Sequence, residues 1–157
     1  MERWVIAVLA AACIGWGVLF VAPLALLALT HRCTADDDRL AVSLATLSIL
    51  DAHPTGATPQ EGRSSYCEND DRITTVMQDY RFSAPRADVR SFYREIAIKD
   101  GWTPYPDDDG EGVSCFAKSV GGRKVDLYLS FSGEMREEYD DGYKVSVSSS
   151  LDGRGWC

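Results

Sequence analysis

The stretch CFAKSVGGRKVDLYLSF, residues 115–131, decides the fold. Gly121-Gly122 is a two-residue hairpin signal, because a type I′ turn needs positive φ at both central positions and glycine adopts it at no steric cost. That turn pairs Val120 with Arg123, Phe116 with Leu127, Cys115 with Tyr128 and Ser114 with Leu129. Val125, Leu127, Leu129 and Phe131 alternate with other residues, the period of a strand buried on one face. Phe116 therefore belongs to the core face, and Cys115 points to the opposite one.

The same period continues outward. YKVSVSSSL, residues 143–151, places Tyr143, Val145, Val147 and Leu151 on one side. ITTVMQDYRF, residues 73–82, is rich in β-branched and aromatic residues and predicts a strand. Between them, SAPRADVRSFYREIAIKDGW (residues 83–102) changes period. Val89, Phe92, Tyr93, Ile96 and Ala97 share one helix face, with Pro85 tolerated in the first turn. Gly101 fits the C′ position that closes a helix, and Trp102 then packs back on Ile96 or Ala97. The expected fold class is α+β: a β-α-β-β-β module over residues 67–157, one helix packed on an antiparallel meander. A module of this size buries only roughly 60% of its unfolded surface, so disulfides would support it.

The pattern S-x-P-x-x-x-V-x-x-F-Y-R at residues 83–94, then Gly101-Trp102, CFAKSVGG and two alternating strands, resembles small membrane-anchored or secreted actinobacterial proteins of unknown function. The resemblance covers about residues 50–157. Its motifs are a helix face and a helix cap. It implies an α+β domain outside the membrane and identifies no activity.

THRCTADDDRL, residues 30–40, follows an uncharged run of 25 residues at 5–29. At about 1.5 Å per residue that run makes a helix of roughly 37 Å, longer than a hydrocarbon core of about 30 Å. A cleaved signal peptide has an apolar region of about 7–15 residues and a small-x-small site at its end. This run is longer and lacks such a site, which favours an uncleaved span over release as a secreted protein. Ala10-Ala11-Ala12-Cys13 loosely resembles a lipid-attachment box, but the apolar run continues past Cys13. Cys33 follows His31 and Arg32, where such a box needs small residues.

Thr34 is a good N-cap, Asp37 falls at N3, and Asp36, Asp37 and Asp38 suit the positive end of a helix dipole. Leu40, Leu44 and Leu47 follow at helical spacing, with Val42, Ile49 and Leu50 widening the stripe. An amphipathic helix is predicted over residues 36–51. Three consecutive aspartates on a helix point in three directions and cannot converge on one ion. HPTGATPQEGRSSY, residues 53–66, predicts a linker. The expected organisation is a transmembrane anchor at 1–33, a short helix and linker at 34–66, and an extracytoplasmic domain at 67–157.

Cys33, Cys67, Cys115 and Cys157 lie beyond the span, widely spaced and without a C-x-x-C pair. Metal sites usually show short ligand spacings, so disulfides are the expected use, and they place the domain in an oxidising compartment. The positive-inside count is uninformative, with Arg3 on one side and Arg32 and Arg39 on the other. Four cysteines allow three connectivities. If the first strand of the module lies parallel and adjacent to the second, Cys67 and Cys115 share one edge. The expected pairing is then Cys67–Cys115 with Cys33–Cys157.

The net charge is −8, with no basic stripe, which argues against nucleic-acid binding. Asp107, Asp108, Asp109 and Glu111 loosely evoke a calcium loop, but Lys118 stands where a bidentate glutamate is needed. Glu134, Glu137, Glu138, Asp140 and Asp141 form a second acidic loop, read as solvated or as a contact for a basic partner. His31 and His53 are too few for a triad or a zinc site. No phosphate-binding or nucleophile-elbow motif is present, and nothing beyond their existence pairs Asp100 with Asp126. No catalytic, cofactor-binding or metal-binding residue is assigned. The expected protein is a single-pass cell-membrane protein held by residues 5–29. Its binding or accessory domain would meet an unknown protein or cell-envelope partner through its outer sheet face and acidic loop. A secreted protein, or a hydrolase with an unrecognised site, is the alternative.

Overall fold

The computed structural model describes residues 32–82, 85–105, 115–131, 142–150 and 157. In chain order it contains α1 (Ala35–Leu44), a 3-10 turn (Ser48–Leu50), β1 (Thr58–Pro59), β2 (Ser64–Glu68), β3 (Ile73–Arg81) and α2 (Arg86–Lys99). β4 (Thr103–Pro104), β5 (Cys115–Val120), β6 (Arg123–Phe131) and β7 (Gly142–Ser150) follow. The protein is α+β and mostly sheet. Residues 33–157 form one compact unit. No helix among the described residues is long and apolar enough to cross a membrane, and the run at 5–29 lies outside them.

The hairpin forms where its glycines place it. Gly121 and Gly122 have φ of 59° and 79°. The pairs Val120–Arg123, Phe116–Leu127 and Cys115–Tyr128 all occur as expected, while Ser114 and Leu151 fall outside the described residues. Every pairing in the sheet is antiparallel, in the order β1-β3-β7-β6-β5-β4, with β2 also beside β3. The last strand, β7, thus lies between β3 and β6, and the expected parallel neighbourhood of β3 and β5 does not occur.

That insertion overturns the expected cysteine pairing. Cys67 on β2 and Cys115 on β5 are four strand spacings apart, about 19 Å at about 4.8 Å per strand, whereas bridged Cα atoms lie within about 7 Å. The disulfides are instead Cys33–Cys67 and Cys115–Cys157, with Cα separations of 6.1 and 5.8 Å.

Cross-strand partners share a face. Val76, Tyr80, Phe116, Val125, Leu127, Leu129, Phe131, Tyr143, Val145 and Val147 form the buried face, and both helices pack on it. From α2 come Val89, Tyr93 and Ala97, with Phe92 and Ile96 at the margin, the predicted stripe. α2 ends as its sequence requires. Gly101, at φ 83°, donates its N–H to the Ile98 carbonyl at 3.0 Å, and the Trp102 N–H reaches the Ala97 carbonyl at 2.9 Å. These two bonds are a Schellman cap. Trp102 is 3% exposed, its indole N–H donates to Asp100 Oδ2 at 3.0 Å, and Lys118 Nζ lies 5.7 Å from the ring centre.

The predicted helix over 36–51 divides. α1 stops at Leu44, and the 3-10 turn takes Ile49 and Leu50 into the core. Val42 is 70% exposed and outside the stripe assigned to it. The predicted linker is also ordered. β1 and β2 line the free side of β3, because β7 occupies its other side. Three tyrosines hold this arm. Tyr80 Oη donates to the Leu50 carbonyl at 2.6 Å, and the Tyr93 hydroxyl donates to the Ala52 carbonyl. Tyr143 stacks on Tyr80 with centroids 5.2 Å apart and meets Tyr93 edge-on at 5.8 Å. Burial pushes the Tyr143 pKa up to about 12, although the Tyr93 hydroxyl works against it.

Of the three aspartates, Asp36 and Asp38 are exposed and Asp37 is buried. The Asp37 carboxylate accepts the Thr34 N–H at 2.7 Å, the Thr34 hydroxyl at 2.8 Å and an Arg72 N–H at 2.9 Å. Burial alone would raise its pKa, but the Arg72 and Thr34 hydrogen bonds more than offset this and hold it below the ordinary value.

Two predictions follow from this packing. Trp102→Ala should destabilise the protein by about 3–5 kcal/mol, the range for truncating a buried aromatic. Urea unfolding measures it, and an unchanged midpoint would show that the cap, not the ring, closes the helix. A carboxylate with a depressed native pKa stabilises the fold above its unfolded value, near 4, and loses that contribution as pH falls through the native value. Asp37→Asn should therefore cost about 1–3 kcal/mol at pH 7, with the gap to the parent protein closing as pH falls through the lowered native value of Asp37. A gap independent of pH would mean that the Asp37 charge contributes nothing.

Candidate functional site

The face of the sheet away from the helices is built differently. Alternation turns Ser146, Ser148 and Ser150 of β7 to it, flanked by Thr75 and Met77 of β3 and by Asp126 and Tyr128 of β6. Small side chains line its centre and larger ones its sides. Thr75, Asp126, Ser146 and Ser148 are all buried. The Thr75 and Ser148 hydroxyls have no hydrogen-bond partner. Burial raises the Tyr128 pKa, the neighbouring Ser146 hydroxyl works against this, and nearby Tyr66 adds to it. Tyr66 of β2 and Tyr128 of β6 lie on this same face, on either side of the β3 and β7 residues between them.

Asp126 anchors one side of this face. Tyr105 Oη donates to Asp126 Oδ1 at 2.5 Å, and Lys124 Nζ lies 3.7 Å from the same oxygen. Lys124 also sits 5.0 Å from the Tyr105 ring centre. Burial and the bond to Asp126 push the Tyr105 pKa up, and contact with Tyr105 raises that of Lys124. At neutral pH the phenol therefore stays protonated and the ammonium charged. The Tyr105 N–H also reaches the Cys115 carbonyl at 3.1 Å. The cluster ties residues 103–105 to the edge of β5 and β6, a lock rather than an acid–base pair poised for reaction.

Asp100 lies elsewhere. Its carboxylate accepts Lys118 Nζ at 2.9 Å on the helix-bearing face, and that bond first, with Trp102, depresses its pKa despite burial. Lys118 and Val125 are cross-strand partners, so Asp126 points to the opposite side. The two carboxylates are not a pair. An open groove of about 300 Å³ runs beside Asp100, lined also by Ser48, Ile49, Ala52, Ile96 and Lys99.

The four cysteines predicted as disulfide residues are all bridged, in the pairing that strand order imposes. Cys33 also donates its N–H to Asn69 Oδ1 at 3.0 Å. His53 packs against Tyr80 at 5.4 Å, and His31 lies outside the described residues. So do Asp107, Asp108, Asp109 and Glu111, and the acidic run from Glu134 to Asp141. Among the described residues no cluster of histidine, cysteine and carboxylate side chains could hold a metal ion. Sequence reasoning missed Tyr105, Lys124 and the serine row as a group. The alternation of YKVSVSSSL did place its serines away from the core face, the one signal that could have found the row.

No protein-family model, curated protein or solved structure matches this chain.

A buried hydroxyl without a partner carries a desolvation cost and no compensating bond. Ser148→Ala should therefore be neutral or stabilise by up to about 1 kcal/mol. Thermal unfolding tests it, and a clear loss of stability would mean that the Ser148 hydroxyl is satisfied in solution.

Proposed function

We propose that the chain is a single-span membrane protein whose residues 33–157 form a small disulfide-stabilised binding or accessory domain outside the cytoplasm. The disulfides Cys33–Cys67 and Cys115–Cys157 carry this reading. Such bonds persist in oxidising compartments and are rare where glutathione and thioredoxin keep thiols reduced. The uncharged run at 5–29 supplies the length of a span. A binding role is supported by the tyrosines Tyr66, Tyr105 and Tyr128 at the margins of a sheet face that carries no helix among the described residues and lies apart from the hydrophobic core.

The reading predicts that protease added to intact spheroplasts removes the domain, while the fragment bearing residues 5–29 stays in the membrane fraction. Full protection would invert the orientation. Recovery of the whole chain in the medium would instead establish release by signal cleavage.

A further inference from the structure

We propose that β2 is a docking edge at which an extended, basic segment of a partner protein adds as a further strand of the sheet. This rests on the binding-module reading above and specifies the partner's chemistry.

Among the described residues β2 is bonded on one side only, to β3. A strand in that position turns a row of N–H and C=O groups outward without ladder partners, a ready template for another chain. The other outer strands are blunted. β1 and β4 have two residues each, and each ends in a proline, Pro59 or Pro104, which removes a donor. β2 has five residues, SSYCE, with neither proline nor lysine to guard it, and Ser64, Ser65 and Tyr66 are exposed. Tyr66, at its centre, is 44% exposed and offers an aromatic surface to a side chain on an added strand.

Charge selects the occupant. The two basic residues around β2 are already engaged, Arg63 with Asp51 and Arg72 with Asp37. Glu61, Glu68 and Asp71 have no ion pair among the described residues. A second copy would bring the same three carboxylates to the edge, on a chain of net charge −8, so self-pairing is opposed. A basic strand is attracted. Tyr66 and Glu68 share one face of β2. Alternate residues of an added strand lie on that same face, so a segment with lysine or arginine at every second position fits it.

The test uses the full chain in detergent micelles with two labelled peptides, (Lys-Val)4 and a proline-interrupted peptide of equal charge that cannot extend a ladder. Fluorescence anisotropy gives affinity, and hydrogen exchange maps protection. The expected result is slowed exchange of the amides of residues 64–68 with (Lys-Val)4, and at least roughly tenfold weaker binding of the interrupted peptide. Glu68→Lys with Asp71→Lys, shown folded by circular dichroism, should weaken (Lys-Val)4 binding by roughly tenfold, as exposed attractions become repulsions. Equal affinity for the two peptides, protection outside residues 64–68, no binding, or unchanged affinity in the charge-reversed variant would each overturn the proposal. Binding in micelles does not depend on which side of a membrane the domain faces. Failure here leaves the topology reading intact, and an inverted topology leaves this result intact.

Discussion

The position of β7 is the constraint on which the rest of the structure depends. It pairs with β3 along its whole length and with β6 over most of it, and both faces are buried at its centre. A strand enclosed on both sides must satisfy two ladders and two packing environments at once. β7 does so by alternation, with Tyr143, Val145 and Val147 toward the helices and small serines toward the other face. Because it takes one side of β3, the other side is free for the N-terminal arm. Because it separates β3 from β6, it carries Cys67 and Cys115 to opposite ends of the sheet and forces each to find a partner near its own edge.

The arm is held by side chains from elements distant in sequence. α1 has ten residues, too few to be stable alone in water. The Cys33–Cys67 bridge and the Asp37–Arg72 pair fix its beginning, and the Tyr80 and Tyr93 hydroxyls cap carbonyls at its end. Arg72 adopts φ of 51°, a left-handed conformation that costs a non-glycine residue about 1–2 kcal/mol. Its hydrogen bond to a buried carboxylate offsets a cost of that size. The same backbone turn joins β2 to β3, so the ion pair and the edge strand share one local geometry.

The two sheet faces divide the work of the fold. The helix-bearing face supplies the apolar burial that stabilises it. The opposite face carries small polar residues closed at one side by Tyr105, Asp126 and Lys124. β2 borders both, with Cys67 toward the helices and Tyr66 toward the opposite face.

Much of the fold was legible in the sequence because its signals are local. The Gly121-Gly122 turn needs only its own φ angles. The α2 stripe and the Gly101-Trp102 cap span five turns at most, and Thr34 with Asp37 close a cap within four residues. Residues 53–66 were read as a linker because proline, glycine and serine carry no burial period of their own; they form strands only because β3 offers an unpaired edge. The split of the helix over 36–51 likewise depends on tyrosines 30 to 41 positions away. The cysteine pairing follows strand order, which alternation cannot encode, since β7 would read the same beside β5 or between β3 and β6. The sequence by itself determined the local elements, their buried faces and the presence of four bridging cysteines. Tertiary structure alone decided which strands are neighbours, because that choice is made by the summed burial of whole faces rather than by any one segment.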